Sequence, residues 1–267
     1  MTYSSSLPDD SSPLVLDTSV LINLHASTHG GRILHALSRD VLVSEIVAAE
    51  LRHETSKING ELEFVQALAA SGIVRLISLS DREYEIYASL VSGTPSLDDG
   101  EAATIAIAAC RNHLSVIDER KGRLQAQRCC GNNVPGWSLD VLRHPRVTAA
   151  LGPGDSIDAL YLALRNGRMR IHEGQCDHLV RLIGISRALE CNCLPGYSAR
   201  RRVWQAGGFA SAEPLNAPQN STALRALRIT RITGTPYQLR NFPILRQRQI
   251  FVAQPAPAPR HPSPSSD

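Results

Sequence analysis

The chain has 267 residues, 43% of them hydrophobic and 20% charged, with a formal net charge of +3. Such a composition excludes a wholly disordered chain and allows one or two folded domains. No apolar run approaches the roughly 18–20 residues of a membrane span, and the opening MTYSSSLPDDSSP lacks the basic and apolar regions of a signal peptide, so no membrane association and a cytoplasmic location are expected.

Residues 1–12 are polar, rich in Ser and Asp, and expected to form a flexible N-terminus. Leu14-Val15-Leu16 reads as a short buried strand, with Thr18 or Ser19 capping a helix through Leu24. Gly30-Gly31 breaks that helix, and Ile33 to Leu37 is a further helical piece. Val41-Leu42-Val43 reads as strand two, after which Ser44 caps an amphipathic helix. A helix over 61–71 ends at Gly72, Ile73 to Ile77 is strand three, and Ser80-Asp81 opens a helix over 81–92.

An Ala-rich helix is predicted over 100–112, strand four over Leu114 to Ile117, and a helix from Glu119 to Cys129. Asn133-Val134 reads as a short fifth strand. Helices follow around 138–143, 155–166 and 176–189. Strands alternating with helices predict an α/β domain over 13–194, with an open parallel sheet of about five strands flanked by helices. Beyond Leu194 the periodicity fades. Residues 195–267 hold ten Arg, no Lys and two acids, a balance of +8 that leaves −5 for residues 1–194. This basic C-terminal extension is expected to be low in structure, with its Pro/Ala/Ser-rich end extended. Within it, Arg200-Arg201-Arg202 and Trp204 pair charge with a ring for stacking on single strands, or form a plain linker.

The positions of the acids carry most of the functional information. Asp17 ends strand one and Asp118 ends strand four, and open parallel sheets bind ligands outside the carboxyl ends of their strands. Glu50 lies on the helix after strand two, and Glu101 on the first turn of the helix before strand four, so one sheet edge can receive all four. Each has a plainer reading alone: Asp17 as a helix cap, Glu50 on a solvated face, Glu101 complementing a helix dipole, Asp118 as an exposed cap. Together, four converging carboxylates repel one another unless a hard divalent cation sits among them. Such an ion activates water and stabilises the charge of a phosphodiester being cut.

Four stretches, in order, resemble the PIN domain family. They are Leu14-Val15-Leu16-Asp17-Thr18-Ser19; Ser44 to Leu51, which contains Glu50; Leu97-Asp98-Asp99-Gly100-Glu101-Ala102-Ala103-Thr104-Ile105; and Val116-Ile117-Asp118-Glu119-Arg120-Lys121-Gly122-Arg123. The third is similar to the L-x-x-G-E-A-E-A-I-x-x-A stretch of the GEA-helix subgroup, which holds the VapC-like toxin ribonucleases and their relatives. The resemblance covers roughly residues 13–190. It implies a PIN fold and Mg²⁺- or Mn²⁺-dependent cleavage of single-stranded RNA. Asp17, Glu50, Glu101 and Asp118 would be the catalytic, metal-holding acids, with Thr18 or Ser19 orienting Asp17 or a water. It also implies RNA as substrate, an antitoxin protein as partner, and a homodimer.

Ser19 and Arg123 are the residues expected to touch substrate. The run Arg120, Lys121, Arg123 and Arg128 reads either as phosphate contacts or as a solvated helix face. Three positions depart from the family pattern: Thr104 where a second Glu is common, Glu119 for Asp, and Trp137 for Thr. Residues beyond about 195 have no counterpart in it. The competing function is a catalytically weak or inactive RNA- or protein-binding module on the same scaffold. A phosphatase of the haloacid-dehalogenase type needs a second acid two residues after Asp17, where Ser19 stands.

Overall fold

The computed structural model describes residues 3–207. The extension from residue 208 onward, where most of the expected low-structure segment falls, lies outside the described residues. The elements in order are β1 (Leu14–Leu16), α1 (Thr18–Ala26), α2 (Gly30–Leu37), β2 (Val41–Ser44), α3 (Glu45–Glu50), α4 (Glu54–Asn59), α5 (Glu61–Ala70), β3 (Arg75–Ile77) and α6 (Asp81–Ser92). They continue with α7 (Asp99–Arg111), β4 (Leu114–Val116), α8 (Arg120–Cys129), α9 (Ser138–Leu142), α10 (Pro145–Arg165), α11 (Glu173–Ile183), α12 (Ile185–Ala188) and α13 (Tyr197–Gln205).

The sheet is parallel, four-stranded, and ordered β3-β2-β1-β4. Its pairings put Leu14 beside both Val41 and Leu114, and Leu16 beside Val116. Side chains alternate between its faces. Leu14, Leu16, Val43 and Val116 enter the larger core, with residues of α1, α2, α9, α10 and α11. Val15 and Leu42 enter a smaller core with α7 and α8. Helix α7 is buried from Gly100 through Ala108. Its alanines let neighbouring helices close on it from several sides, as expected of a helix that is apolar all round.

The five-strand expectation is corrected to four. Val134 is 55% exposed and Pro135 has no N–H to offer, so only Gly136 reaches the sheet. Its N–H donates to the Ser115 carbonyl at 2.9 Å, and its own carbonyl accepts from Ile117 at 2.9 Å. Together these make a single parallel bridge to β4.

The N-terminal expectation also changes. Tyr3 Oη, the Ser6 amide and Ser6 Oγ all donate to the buried Asp140 carboxylate, and Leu7 is buried against Gly136. This segment is docked because Asp140, fully buried, needs donors that α9 alone does not supply.

The domain also runs past residue 194. Helix α13 puts Trp204 into the core, and Arg200 is paired with Asp177. Trp204 is therefore a packing residue here, not an open ring for stacking. Gly30 opens α2, where it was expected to break a helix, and the helix predicted over 176–189 is divided at Gly184, whose φ of 87° only glycine adopts easily. Among the described residues no helix is long and apolar enough to cross a membrane.

Candidate active site

Asp17 leaves β1 directly and caps α1 with its own carboxylate, which accepts from the Ser19 amide at 3.3 Å and from Ser19 Oγ at 2.6 Å. The cap is thus Asp17, not Thr18 or Ser19, and Ser19 orients it. The Thr18 hydroxyl donates instead to Glu50. The other Glu50 oxygen accepts from the Gly100 amide in the first turn of α7 at 2.7 Å. A Cβ on Gly100 would lie 2.6 Å from Glu50 Oε2 and 2.8 Å from Thr18 Oγ1, so a side chain there would push Glu50 away.

Asp118 follows the end of β4 and is buried. Its carboxylate accepts from the Ser138 amide at 2.7 Å, Ser138 Oγ at 2.6 Å and Asn23 Nδ2 at 2.6 Å. Glu101 is also buried, but its Oε2 has no hydrogen-bond partner among the described residues. Gly122 leaves room for its other oxygen, which a Cβ at that position would meet at 2.7 Å.

All four predicted acids line one cleft of about 630 Å³, together with Thr18, Ser19, Asn23, Arg168 and Arg170. Among the described residues no three His, Cys, Asp or Glu side chains close around a single point. The acids share a cleft while Glu50, Asp118 and Asp17 are each turned toward local donors. None of the four forms an ion pair with a described Arg or Lys side chain.

The electrostatics follow from that lack. Burial lifts the Asp17 carboxyl to about 6, helped by the charges of Asp118 and Glu50 and opposed by its bond from Ser19. Burial and the neighbouring Asp17 push Glu101 up to about 8. Burial raises Asp118 as well, although its Ser138 and Asn23 donors pull the other way. A pocket of hard oxygen donors with an orphaned carboxylate oxygen and no paired cation fits Mg²⁺ or Mn²⁺ in donor chemistry.

Arg123, expected on substrate, lies elsewhere. Its guanidinium donates to the carbonyls of Ile117 at 3.0 Å and Asp118 at 2.5 Å and to His172 Nε2 at 3.2 Å, and it sits over the Trp137 ring. It fixes the end of β4 by satisfying carbonyls the sheet leaves free. Thr104 is buried, with its hydroxyl toward the Leu16 carbonyl at 3.4 Å and away from the cleft. Counted from Leu97, the second Glu of the similar stretch falls on Ala103 and not on Thr104.

Asn23, Ser138, Arg168 and Arg170 are site residues that sequence reasoning missed. Asn23 had a signal, being the one polar group among the buried Val20, Leu21 and Leu24 of α1. Ser138 directly follows Trp137 and supplies its hydroxyl and amide to Asp118. A second cleft of about 540 Å³, lined by His25, Phe64 and Asn166 among others, shares Ile22 with the first.

Comparison with known proteins gave one finding: a family model described as PIN domain matches residues 13–184, just under two thirds of the chain. No curated protein and no solved structure matched.

Proposed function

The chain belongs to the PIN domain family, and from that premise we propose that it is a divalent-metal-dependent endoribonuclease acting on single-stranded RNA. The observation that carries the proposal is the shared cleft of Asp17, Glu50, Glu101 and Asp118, in which three buried acids sit above their ordinary range with no paired cation. Asp17, Glu101 and Asp118 would hold Mg²⁺ or Mn²⁺, with Glu50 alongside. When bound, such an ion lowers the pKa of water and stabilises charge on a phosphodiester.

The chain's own groups supply the positioning. Ser19 holds Asp17; Ser138 and Asn23 hold Asp118. Glu50 ties the start of α1 to the start of α7 through Thr18 and Gly100, so the segments carrying Asp17 and Glu101 keep a fixed relation. The expected products are a 3′-hydroxyl and a 5′-phosphate: water would form the new bond to phosphorus while the P–O3′ bond breaks, and the 3′ oxygen would leave and take up a proton, with no part for the ribose 2′-hydroxyl or a protein nucleophile. The resemblance to the toxin subgroup extends the proposal to an antitoxin partner and a homodimer.

The test is cleavage of single-stranded RNA in Mg²⁺ or Mn²⁺ by the full chain and by Asp17→Asn and Asp118→Asn. Loss of more than about 100-fold is expected, beyond the 10–100-fold typical of changes outside the ligands themselves. Undiminished cleavage by either variant overturns the assignment. One observation favours the second reading, an RNA-binding module without turnover: both Glu50 oxygens are committed to protein donors. Binding that ignores added cation, with no cleavage, would select it.

A further inference from the structure

The acidic cleft has a basic rim on one side, the turn between α10 and α11. Arg168 and Arg170 both line the cleft and both are exposed. The turn that carries them is firmly seated. Met169, between the two, is buried and its amide donates to the Ala163 carbonyl at 3.1 Å. Gly167, just before them, packs so closely on Asn23 that a Cβ there would collide with the Asn23 amide oxygen. Asn23 in turn holds Asp118. The arginines are therefore anchored to the residue that positions an acid, and both stand exposed at the wall of the cleft.

Their partners are few. Among the described residues Arg168 makes no ion pair or side-chain hydrogen bond, and Arg170 meets only Glu119 at 3.7 Å, with the Arg170 side chain largely in solvent. This sets them apart from Arg123, Arg111 and Arg200, whose guanidinium groups are taken up by protein acceptors. Arg168 also holds a left-handed backbone, φ 54°, which an arginine adopts at some cost. A polyanion approaching four carboxylates is repelled unless cationic groups lie beside them. Guanidinium suits that position, since its fork of donors matches two phosphate oxygens.

We propose that Arg168 and Arg170 form a phosphate clamp that takes backbone phosphates of a single-stranded RNA and so sets which phosphodiester lies over the acids. This rests on the nuclease reading given above, and names for it the residues that select the register of the strand. The clamp touches substrate directly; Arg123 on α8, held by the Ile117 and Asp118 carbonyls, is not part of it.

The experiment uses the full chain and a short labelled single-stranded RNA, with Ca²⁺ in place of Mg²⁺ for binding and Mg²⁺ for cleavage. Binding is followed by anisotropy between roughly 50 and 200 mM salt, a range over which lost phosphate contacts change the affinity measurably. Arg168→Ala and Arg170→Ala should each weaken binding severalfold and lower the slope of log affinity against log salt by about 0.7. In cleavage each should raise KM more than it lowers kcat, and the double variant should shift the cut positions along the RNA. Arg168→Lys should recover the slope but only part of the affinity, because lysine lacks the fork. Arg181→Ala, on the far part of α11, removes the same charge and should change none of these.

Unchanged slope, KM and cut positions in the double variant, with cleavage intact, overturn the clamp and leave the nuclease reading standing. The predicted slope change with no cleavage in any divalent cation does the reverse. Absence of RNA binding by the unaltered chain overturns both.

Discussion

Two groups of buried acids sit in this molecule under opposite electrostatic conditions. Glu83 on α6 accepts a two-point ion pair from Arg111 on α7, at 2.6 and 2.8 Å, and also caps its own helix through the Ser80 amide. Its carboxyl is held down to about 2, chiefly by the Arg111 hydrogen bonds. Asp17 and Glu101 are as well buried, but burial lifts them to about 6 and about 8, helped at Asp17 by the charges of Asp118 and Glu50 and at Glu101 by that of Asp17. Burial alone does not decide whether an acid is held below or above its ordinary range. What separates them is whether the fold supplies the cation. For Glu83 it does. For the cleft acids it supplies neutral donors and leaves one oxygen of Glu101 unmatched.

The comparison can be broken most forcefully at the paired acid. Arg111→Ala leaves Glu83 buried without its partner. A buried pair broken this way costs about 3–5 kcal/mol, and the one-third exposure of Arg111 reduces the expectation to about 2–3 kcal/mol. Chemical denaturation should show that loss, while cleavage per folded molecule stays near that of the unaltered protein. A fall in activity without a fall in stability would mean that the two groups are not separate.

At the cleft the expected signature is reversed. Ser138→Ala should leave stability nearly unchanged yet lower metal affinity or cleavage by about 10–100-fold, because it releases Asp118 from a hydroxyl donor. Calorimetric titration with Mn²⁺ alongside the cleavage assay would measure both. Equal loss in denaturation and in catalysis would make Ser138 a packing residue.

The smallest effect sharpens the contrast through pH. Glu83, with its lowered pKa, stabilises the fold above the ordinary carboxylate range, and this is lost as pH falls from about 4.5 toward 2. Glu101 and Asp17, with raised values, work in the other direction. Their protonated forms suit the fold, so stability without divalent cation should fall as pH rises through about 6 and 8. A divalent cation binds the ionised acids, so Mg²⁺ or Mn²⁺ should raise Tm by a few degrees at about pH 8 and hardly at about pH 5. A cation effect equal at both pH values would show that the cleft acids do not hold the ion.

The unpaired acids were legible in the sequence because strand ends are legible. Leu14-Val15-Leu16 and Leu114 to Ile117 are short apolar runs, and the acid after each run must lie at the sheet's carboxyl edge. Ser44 and Ser80 were readable as caps for the same local reason, and both accept the expected amides. The residues that support the acids were not. Asn23 and Ser138 reach Asp118 from 95 and 20 residues away, and nothing in local pattern ties them to it. Helix α13 was hidden by its arginines: with Tyr197 and Trp204 as its main apolar anchors, it shows too little periodicity to stand out. Arg123 misled in the opposite way. Its position beside Asp118 suggested substrate, but the free carbonyls at the end of β4 claimed it first.

The placement of β1 between β2 and β4 has a consequence for biosynthesis. Asp17 and Asp118 lie 101 positions apart, so at roughly 5–20 residues per second the second follows the first out of the ribosome by about 5–20 s. During that interval β1 can pair with β2, but the edge that receives β4 stays open. Ser138 and the Gly167–Met169 turn emerge later still. A growing chain proposed to cut RNA therefore begins its time beside its own message without an assembled cleft, and a fragment released before Glu101 carries only Asp17 and Glu50 of the four acids. The topology withholds the cleft until the turn that carries Arg168 and Arg170 has emerged.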